Sequence, residues 1–455
     1  MVCKDAQMSR RVFVGAAATA GAALAGLAGC SGGSGAASGS ADAGSGARDQ
    51  VTIAMSTSNE PAAGFDPCVD WGCGEHVHEP LIQSTLVVTD KDMAFVNDLA
   101  VSYECSTDNL VWTFEIRDDV RFSDGKPLRA SDVAFTINTI RQSERAQADL
   151  TMVSEAVATS DTVVEIRLSK PYNALLYTLA VMGIVPEHAY GDTYGEAPVG
   201  SGRYLLKQWD RGQQVILEAN PDYYGDTPTI KRVTVVFMEE DAALAAAKSG
   251  QVDMAYTSAT YADQEVSGYS LASYKTVDSR GINLPVIASG SSKRDGENTY
   301  PAGNDVTCHV EVRRAINMAI DREQMIKNVL NGRATAAYSI GDGLPWASAD
   351  MRIERDLDAA KALLEDAGWK AGEDGVRVLD GTRAELTLYY AAGDTVRQAM
   401  ANEFANQMKE LGIAVTPTGA SWDDIYPHEF SDPIMWGGGP TRPPTSTRLT
   451  TPRAR

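Results

Sequence analysis

The 455-residue sequence lacks the motifs that mark the common hydrolases and metalloenzymes. It has no His-Glu-x-x-His pattern for two zinc ligands on one helix face, no Gly-x-Ser-x-Gly turn for a serine nucleophile, and no Cys-x-x-Cys pair. Histidine is scarce as well, with five residues in the whole chain. Because an enzyme site requires groups with mutually placed roles, these absences disfavour a catalytic function.

Basic residues are also fewer than acidic residues. The chain has 40 Lys and Arg against 61 Asp and Glu, which gives a formal net charge of -21. A surface that binds nucleic acid relies on clustered Lys and Arg, so this charge balance excludes nucleic acid as a partner. The hydrophobic content of 44% and the length indicate an acidic, soluble protein of several domains. No internal repeat is visible.

The apolar stretch near the N-terminus is too short and too rich in Ala and Gly for a membrane span, which needs about 20 apolar residues. It follows Arg10-Arg11 and ends at Leu-Ala-Gly-Cys30. This order is typical of a twin-arginine signal with a lipobox, so we expect residues 1–30 to be a lipoprotein signal peptide and Cys30 to be lipidated. A plain signal peptide with an incidental cysteine is the alternative. Residues 31–50 are rich in Ser, Gly and Ala, so we expect them to form a flexible tether outside the cytoplasmic membrane.

The most informative stretch is residues 198–255. It begins with two closely spaced glycines, Gly200 and Gly202, which permit unusual backbone angles. A turn signal at Asn220-Pro221-Asp222 separates two β-branched runs and predicts a hairpin followed by a further strand. An alanine-rich helix is predicted over 240–249, with acids in its first turn and glycine as its stop.

The same stretch resembles the family of extracytoplasmic solute-binding proteins that includes the oligopeptide, dipeptide and nickel-binding receptors of ABC importers. Three further stretches resemble the family in the expected order: 122–133, 312–322 and 363–369. The resemblance therefore covers most of the chain. It implies an α/β protein with the two-lobed periplasmic-binding-protein type II fold and an extra inserted α+β domain.

This resemblance, together with the strand and helix patterns, gives the expected domains. Residues 51–86 and 198–275 form lobe I, residues 87–197 the inserted α+β domain, and residues 276–440 lobe II. Within lobe II a strand, a helix and a strand over 385–416 predict a right-handed crossover with parallel pairing. A single helix is predicted over 312–331, and a polar loop over 289–305.

Cysteine and histidine are concentrated in one short segment that contains Cys68, Cys73, His76 and His78. Thiolates and imidazoles bind soft or borderline metal ions, so His76 and His78 are candidate metal ligands. The spacing matches no zinc pattern, however, and thiols oxidise readily outside the cell. A disulfide between Cys68 and Cys73 with two ordinary histidines is the favoured interpretation.

The resemblance implies that ligand lies in a cleft between the lobes. Six residues are candidates for ligand contact: Trp71, Gly72, Cys73, Arg280, Trp436 and Gly437. Peptide-binding members of the family carry an acidic residue three positions after the tryptophan, where this sequence has Gly439. This departure weakens the case for ordinary peptides, although Asp423, Asp424 and Asp432 are nearby substitutes.

Three arginines could pair with a ligand carboxylate. Arg280 follows a predicted strand and is the favoured candidate. Arg313 and Arg314 lie on a predicted helix and are expected to be solvated.

The expected function is a lipid-anchored, monomeric receptor that captures a peptide or a chelated nickel-type solute and delivers it to an ABC permease. No cofactor is expected. The alternatives are an exported metal-binding or redox enzyme, and a truncated receptor without function.

The resemblance ends just after Gly437. Residues 441–455 contain four arginines and no acidic residue, and they form a basic tail that matches nothing in the family. We therefore expect the chain to be C-terminally truncated, by a frameshift after about Pro440.

Overall fold

The computed structural model describes residues 49–438 apart from 62–63, 70–79, 144–145, 147, 274–277, 296–297 and 345–346. Several of the predicted functional residues fall outside the described residues: Cys30, Trp71, Gly72, Cys73, His76, His78 and the tail 441–455.

The described part of the chain contains both strands and helices. In chain order the strands are β1 (Gln50–Met55), β2 (Val87–Thr89), β3 (Phe95–Asn97), β4 (Ala100–Cys105), β5 (Val111–Ile116), β6 (Val153–Ala158), β7 (Val163–Leu168), β8 (Tyr204–Asp210), β9 (Gln214–Ala219), β10 (Arg232–Phe237), β11 (Met254–Ala255), β12 (Ser279–Asn283), β13 (Ser291–Asp295), β14 (Asn298–Ala302), β15 (Lys370–Ala371), β16 (Arg377–Leu379), β17 (Thr382–Arg383), β18 (Glu385–Ala391), β19 (Ala414–Ala420) and β20 (Ile434–Gly438). The helices are α1 (Ala130–Gln142), α2 (Leu175–Leu179), α3 (Glu240–Lys248), α4 (Val310–Ala319), α5 (Arg322–Leu330), α6 (Leu357–Asp366), α7 (Thr395–Leu411) and α8 (Trp422–Ile425).

The first sheet has the order β11-β1-β10-β9-β8 and is mixed, since β1 pairs in parallel with β10 and β11 while β8, β9 and β10 are antiparallel neighbours. The alanines of α3 pack with Ala54 of β1 on one face of the sheet. On the other face Ile82 packs against residues of β9 and β10. We call this sheet with α3 the first lobe.

Gly200 and Gly202 are required for a reason that differs from the one predicted. Neither has a positive φ angle. Instead, a Cβ atom at Gly200 would overlap the carbonyl oxygen of Ile82, and one at Gly202 would overlap that of Leu81. The Gly202 amide donates to the Ile82 oxygen at 2.8 Å. The two glycines therefore let the backbone entering the first lobe run against the segment at residues 81–82.

Between the strands of the first lobe the chain builds an antiparallel sheet of order β4-β5-β7-β6. The helix α1 covers one face of it, and Phe114, Ile137, Ile166 and Leu175 are among the fully buried members of its core. This arrangement has the α+β character expected of residues 87–197, whose exact boundaries stay a prediction.

The last sheet has the order β12-β20-β18-β19. Strand β18 pairs in parallel with β19 over seven register positions, which is the crossover that the sequence predicts, and it also runs parallel to β20. The strand β12 is antiparallel to β20. The helices α4, α6 and α7 supply the core on one face, around Leu388, Phe404 and Met435. We call this sheet with α4–α7 the second lobe.

Two sequence predictions in the second lobe are wrong. The predicted helix over 312–331 is divided into α4 and α5, because the Asp321 carboxylate accepts from the Gln324 amide at 2.9 Å and starts a new helix. The Gln407 side chain accepts from the Asp321 amide at 2.7 Å and fixes the break. The predicted loop over 289–305 contains the hairpin β13–β14.

Candidate functional site

Parallel strands bring their carboxyl ends to one edge of a sheet, and ligands of open α/β folds bind outside that edge. In the second lobe the carboxyl ends of β18, β19 and β20 meet at such an edge, from which α7 and α8 start. In the first lobe β1, β10 and β11 end together, and α3 starts there.

The two lobes contact each other near these edges. The Asn331 amide group, just after α5, donates to the Ala259 carbonyl oxygen at 2.9 Å. Arg333 lies 3.4 Å from the Asp263 carboxylate. Ala259 and Asp263 follow β11 in the chain, so the segment after the first lobe's edge strand contacts the end of α5.

Charged side chains from both lobes influence the pKa of Tyr256, a half-exposed residue that follows β11. Burial raises the pKa of Tyr256, the charge of Arg280 lowers it, and the charges of Glu240, Asp278 and Asp394 raise it further. Glu240 begins α3, and Asp394 caps the N-terminus of α7. We call these five residues the interlobe junction.

An aromatic wall stands at the carboxyl edge of the second lobe. The rings of Trp422 and Trp436 stack with centroids 5.1 Å apart and an interplanar angle of 16°. The ring centroid of Tyr426 lies 6.0 Å from that of Trp422 and 6.4 Å from that of Trp436. The Trp436 indole nitrogen is buried and makes no hydrogen bond within the part of the chain that the structure describes. The guanidinium of Arg397 lies 5.3 Å from the Trp422 ring.

Arg280 and Gly437 are direct partners in the β12–β20 register, so they share a face of the sheet. The Arg280 side chain lies flat across Gly437, where a Cβ atom would be 2.6 Å from the Arg280 Cδ atom. Its guanidinium is 2.5 Å from the Asp278 carboxylate. Trp436 points to the opposite face, because side chains alternate along a strand. The structure thus brings Arg280 and Gly437 together and leaves Trp436 with the aromatic wall.

The other two candidate arginines differ from each other. Arg313 donates to the carbonyl oxygens of Thr307 and Cys308 at 2.6 and 2.8 Å, so it fixes the start of α4 instead of being solvated. Arg314 is exposed, as expected.

The chain leading to the Cys/His segment is held by a buried carboxylate. Asp66 accepts from the Cys68 amide at 2.9 Å and from the Tyr190 hydroxyl at 3.1 Å. Burial, followed by the charge of Asp66, raises the pKa of the Cys68 thiol well above its usual range. Cys68 is a free thiol in the structure, while Cys73 lies outside the described residues, so the disulfide between them stays a prediction.

A histidine arrangement that the sequence analysis missed lies beside the wall. His428 approaches the Tyr389 hydroxyl at 3.3 Å and the Asp432 carboxylate at 2.9 Å, and its ring stacks on Tyr389 with centroids 4.4 Å apart. In the sequence, the spacing of four residues between His428 and Asp432 is the one feature that could have indicated this pair.

The described residues lack two features, a cluster of metal ligands and a membrane-spanning helix. No group of three or more His, Cys, Asp and Glu side chains there is placed to hold a metal ion. None of the helices described is both long and apolar enough to span a membrane.

The comparisons with known proteins give the family. A family model described as "Bacterial extracellular solute-binding proteins, family 5 Middle" matches residues 94–451. The chain belongs to this family. Its family is thus one of solute-binding proteins and not of enzymes, which confirms the prediction made from the sequence.

Curated relatives are moderately similar. Protein XP55 of Streptomyces lividans is 33% identical over 376 residues, which are 77% of this chain and 64% of the relative. The nickel-binding periplasmic protein of Escherichia coli (strain K12) is 28% identical, over 77% of this chain and 67% of the relative. The oligopeptide-binding protein AppA of Bacillus subtilis (strain 168) is also 28% identical, over 79% of this chain and 67% of the relative. The chain therefore spans about two thirds of the length of these relatives.

Solved structures share the fold. NikZ from Campylobacter jejuni in complex with Ni(L-His) has a TM-score of 0.74 at 24% identity, covering 87% of this chain and 78% of that protein. AppA from Bacillus subtilis in complex with a nonapeptide has a TM-score of 0.63 at 23% identity, covering 87% of this chain and 81% of that protein. The predicted α/β binding-protein fold is confirmed.

Proposed function

We propose that this protein is the receptor of an ABC importer, and that it captures a small polar solute between its lobes and delivers it to a membrane permease. The solute classes proposed are peptides and nickel held by a small chelator. These classes come from the similar proteins, which include a nickel-binding and an oligopeptide-binding protein.

The observation that carries this proposal is the meeting of the two carboxyl edges. The aromatic wall and the interlobe junction lie where parallel strands of the two lobes end, which is where open α/β sheets bind ligands. Stacked indoles provide a large apolar surface, and the ionised groups beside them can orient a polar solute.

Isothermal titration of the 455-residue chain tests the proposal. The titrants are a mixture of tripeptides to pentapeptides and, separately, nickel chloride with excess L-histidine. Saturable binding of one class is expected. If a chain that melts cooperatively binds neither, the proposed solute classes are wrong, while the family assignment is unaffected.

The anchoring and export of this receptor are part of the proposal. Cys30 would carry lipid, and Arg10-Arg11 would direct the chain to twin-arginine export. The partners would then be the solute, the permease and the outer face of the cell membrane, with the receptor acting as a monomer. The residues Trp71, Gly72, Cys73, Arg280, Trp436 and Gly437 are the proposed ligand contacts.

A further inference from the structure

A short segment carries the aromatic wall to the second sheet. Residues 421–433 connect β19 to β20, and α8, which contains Trp422, lies at their start. A 3-10 turn over Tyr426–His428 follows directly. Strand β20 then carries Trp436, so two of the three wall rings lie within this segment and the third lies just after it. We call residues 421–433 the wall segment, and its position determines whether the three rings meet.

His428 fixes the wall segment to the sheet. Its ring stacks on Tyr389 of β18 with centroids 4.4 Å apart, and its Nε2 atom lies 3.3 Å from the Tyr389 hydroxyl. Tyr389 is the register partner of Ile434 in β20, so it shares a sheet face with Ile434 and with Trp436 two residues further on. His428 therefore holds the segment against the same face that presents Trp436.

The other ring nitrogen of His428 contacts a carboxylate. Its Nδ1 atom lies 2.9 Å from the Asp432 carboxylate, which also accepts from the Ser431 hydroxyl at 2.8 Å. The amides of Ser431 and Asp432 both donate to the His428 carbonyl oxygen at 3.0 Å, so the imidazole and its carboxylate belong to one closed turn. The His428 side chain is 40% exposed, so water can exchange a proton with the imidazole.

The imidazole can make both contacts in either charge state, but the strength differs. Neutral His428 donates from Nδ1 to Asp432 and accepts from the Tyr389 hydroxyl at Nε2. Protonated His428 donates from both nitrogens, and its contact with Asp432 becomes an ion pair as well as a hydrogen bond. Burial and the charge of Asp432 raise the pKa of Tyr389, so its hydroxyl keeps its proton in both states.

Histidine is the residue type that ordinarily changes charge between about pH 5 and 8, whereas carboxylic acids, amines and phenols ordinarily titrate outside that range. Other charged and titratable groups of the described residues belong to the wall segment or contact it: Tyr389 of β18, Lys293 and Tyr300 of the hairpin β13–β14, Arg397 of α7, and Asp423, Asp424, Glu429 and Asp432 of the segment itself. None of these is a histidine, so His428 is the group suited to switching in this range.

We infer that His428 is a pH-dependent positioning residue of the aromatic wall, and that its protonated form holds the wall segment more firmly than its neutral form. The attraction to the ionised Asp432 is present when the pH is low enough to protonate His428, and it is lost as the pH rises and the proton leaves. For the proposed receptor, the consequence is tighter binding of solute in mild acid. That consequence alone rests on the proposed function.

Circular dichroism tests the positioning itself. Stacked indoles give a coupled signal that depends on their separation, so the difference between a chain and its Trp422→Phe variant reports on the stack with Trp436. We expect this wall signal to be larger at about pH 5.5 than at about pH 7.5, with a single midpoint between them. In the His428→Gln background, where the side chain can donate a hydrogen bond but carries no charge, the wall signal should not vary with pH.

His188→Gln is the matched control. The His188 Nε2 atom lies 2.7 Å from the Asp124 carboxylate, so it forms the same kind of pair, but in the α+β part of the chain. This variant should keep the pH dependence of the wall signal. Asp432→Asn removes the carboxylate and keeps the imidazole, so it should abolish the pH dependence as His428→Gln does. It replaces His428→Gln should that variant fail to melt cooperatively.

Isothermal titration with tripeptides to pentapeptides measures the consequence for solute. A partly exposed ion pair contributes little, so we expect the wild type to bind about two- to fivefold more tightly at the lower pH. This change is counted relative to His428→Gln, because the peptides titrate in the same way with both chains.

The outcomes separate the two claims. A wild-type wall signal that is equal at both pH values overturns the inference, as does a change that His428→Gln retains or that His188→Gln removes. In each of these cases the proposed receptor function stands. If the wild type binds neither peptides nor nickel with L-histidine, the proposed solute classes are wrong, and circular dichroism still decides the inference about His428.

Discussion

The side chain of Arg280 lies across the backbone of Gly437, and this contact explains why glycine occupies that position. A methyl group there would be 2.6 Å from the Arg280 Cδ atom and would push the guanidinium away from Asp278. Gly281, the residue beside Arg280, has nothing within 4 Å of its hypothetical Cβ atom. The two glycines lie in the same pair of strands, but only Gly437 has a side chain packed where its Cβ atom would be.

We therefore predict that Gly437→Ala destabilises the folded chain by about 0.5–1 kcal/mol, because the Arg280 side chain can move aside at the cost of its ion pair with Asp278. Gly281→Ala should change the free energy of unfolding by much less. Urea unfolding followed by circular dichroism measures both. Equal losses in the two variants would mean that the contact with Arg280 does not set the requirement for glycine.

Among single residues, the resemblance pointed to Trp436, Gly437 and Arg280, and the structure places all three at the second lobe's carboxyl edge or beside it. It could not point to the stacking of His428 on Tyr389, because these two residues are 39 positions apart in the chain and meet only in the folded structure.

Among the helices and strands, the break between α4 and α5 has the clearest cause. Apolar residues lie on both sides of the break, at 312, 315, 316, 319 and 320 and again at 325, 326 and 329, so the sequence pattern predicts one helix. Asp321 within that run was the available warning, because aspartate is a strong helix N-cap. Local pattern did suffice for β18, α7 and β19, whose parallel crossover is short and continuous in sequence.

The cap at Asp321 gives a prediction for this pair of helices. Asp321→Ala removes the acceptor of the Gln324 amide and the 3.5 Å contact with Arg355, so stability should fall by about 0.5–2 kcal/mol. Glu323→Ala removes the same charge from the same helical turn without removing a cap, and it should cost a few tenths of a kcal/mol at most. Thermal unfolding of both variants measures the difference. A Glu323→Ala loss as large as that of Asp321→Ala would contradict this account of the break.

At the scale of the whole molecule, the resemblance predicted the family and the binding-protein fold because its four stretches are spread over most of the chain. It could not predict the hairpin β13–β14, whose polar residues have no periodicity, and the pairing of β12 with β20 joins residues about 150 positions apart. Distant pairings of this kind are set by tertiary contacts that no local pattern contains.

For the whole protein in the cell, we predict that Cys30→Ala releases the receptor from the membrane fraction. The reason is that an acyl chain on Cys30 would be its only proposed anchor. Fractionation of cells that express the wild type and the variant measures this, and a variant that still sediments with membranes would show the lipobox interpretation to be wrong. Lys in place of both Arg10 and Arg11 is the companion variant, which should block export and leave any lipobox intact.

The position of β1 in the first sheet has a consequence for the order of events during synthesis. Gln50 pairs with Arg232, so β1 has no parallel partner until about 180 further residues have left the ribosome. At roughly 5–20 residues per second, this delay lasts on the order of 10–40 s. The antiparallel strands β4–β7 pair with near neighbours in sequence and can assemble during that interval. The middle of the chain would then be folded while β1 still has an unpaired edge, which is the kind of edge that invites pairing with other chains.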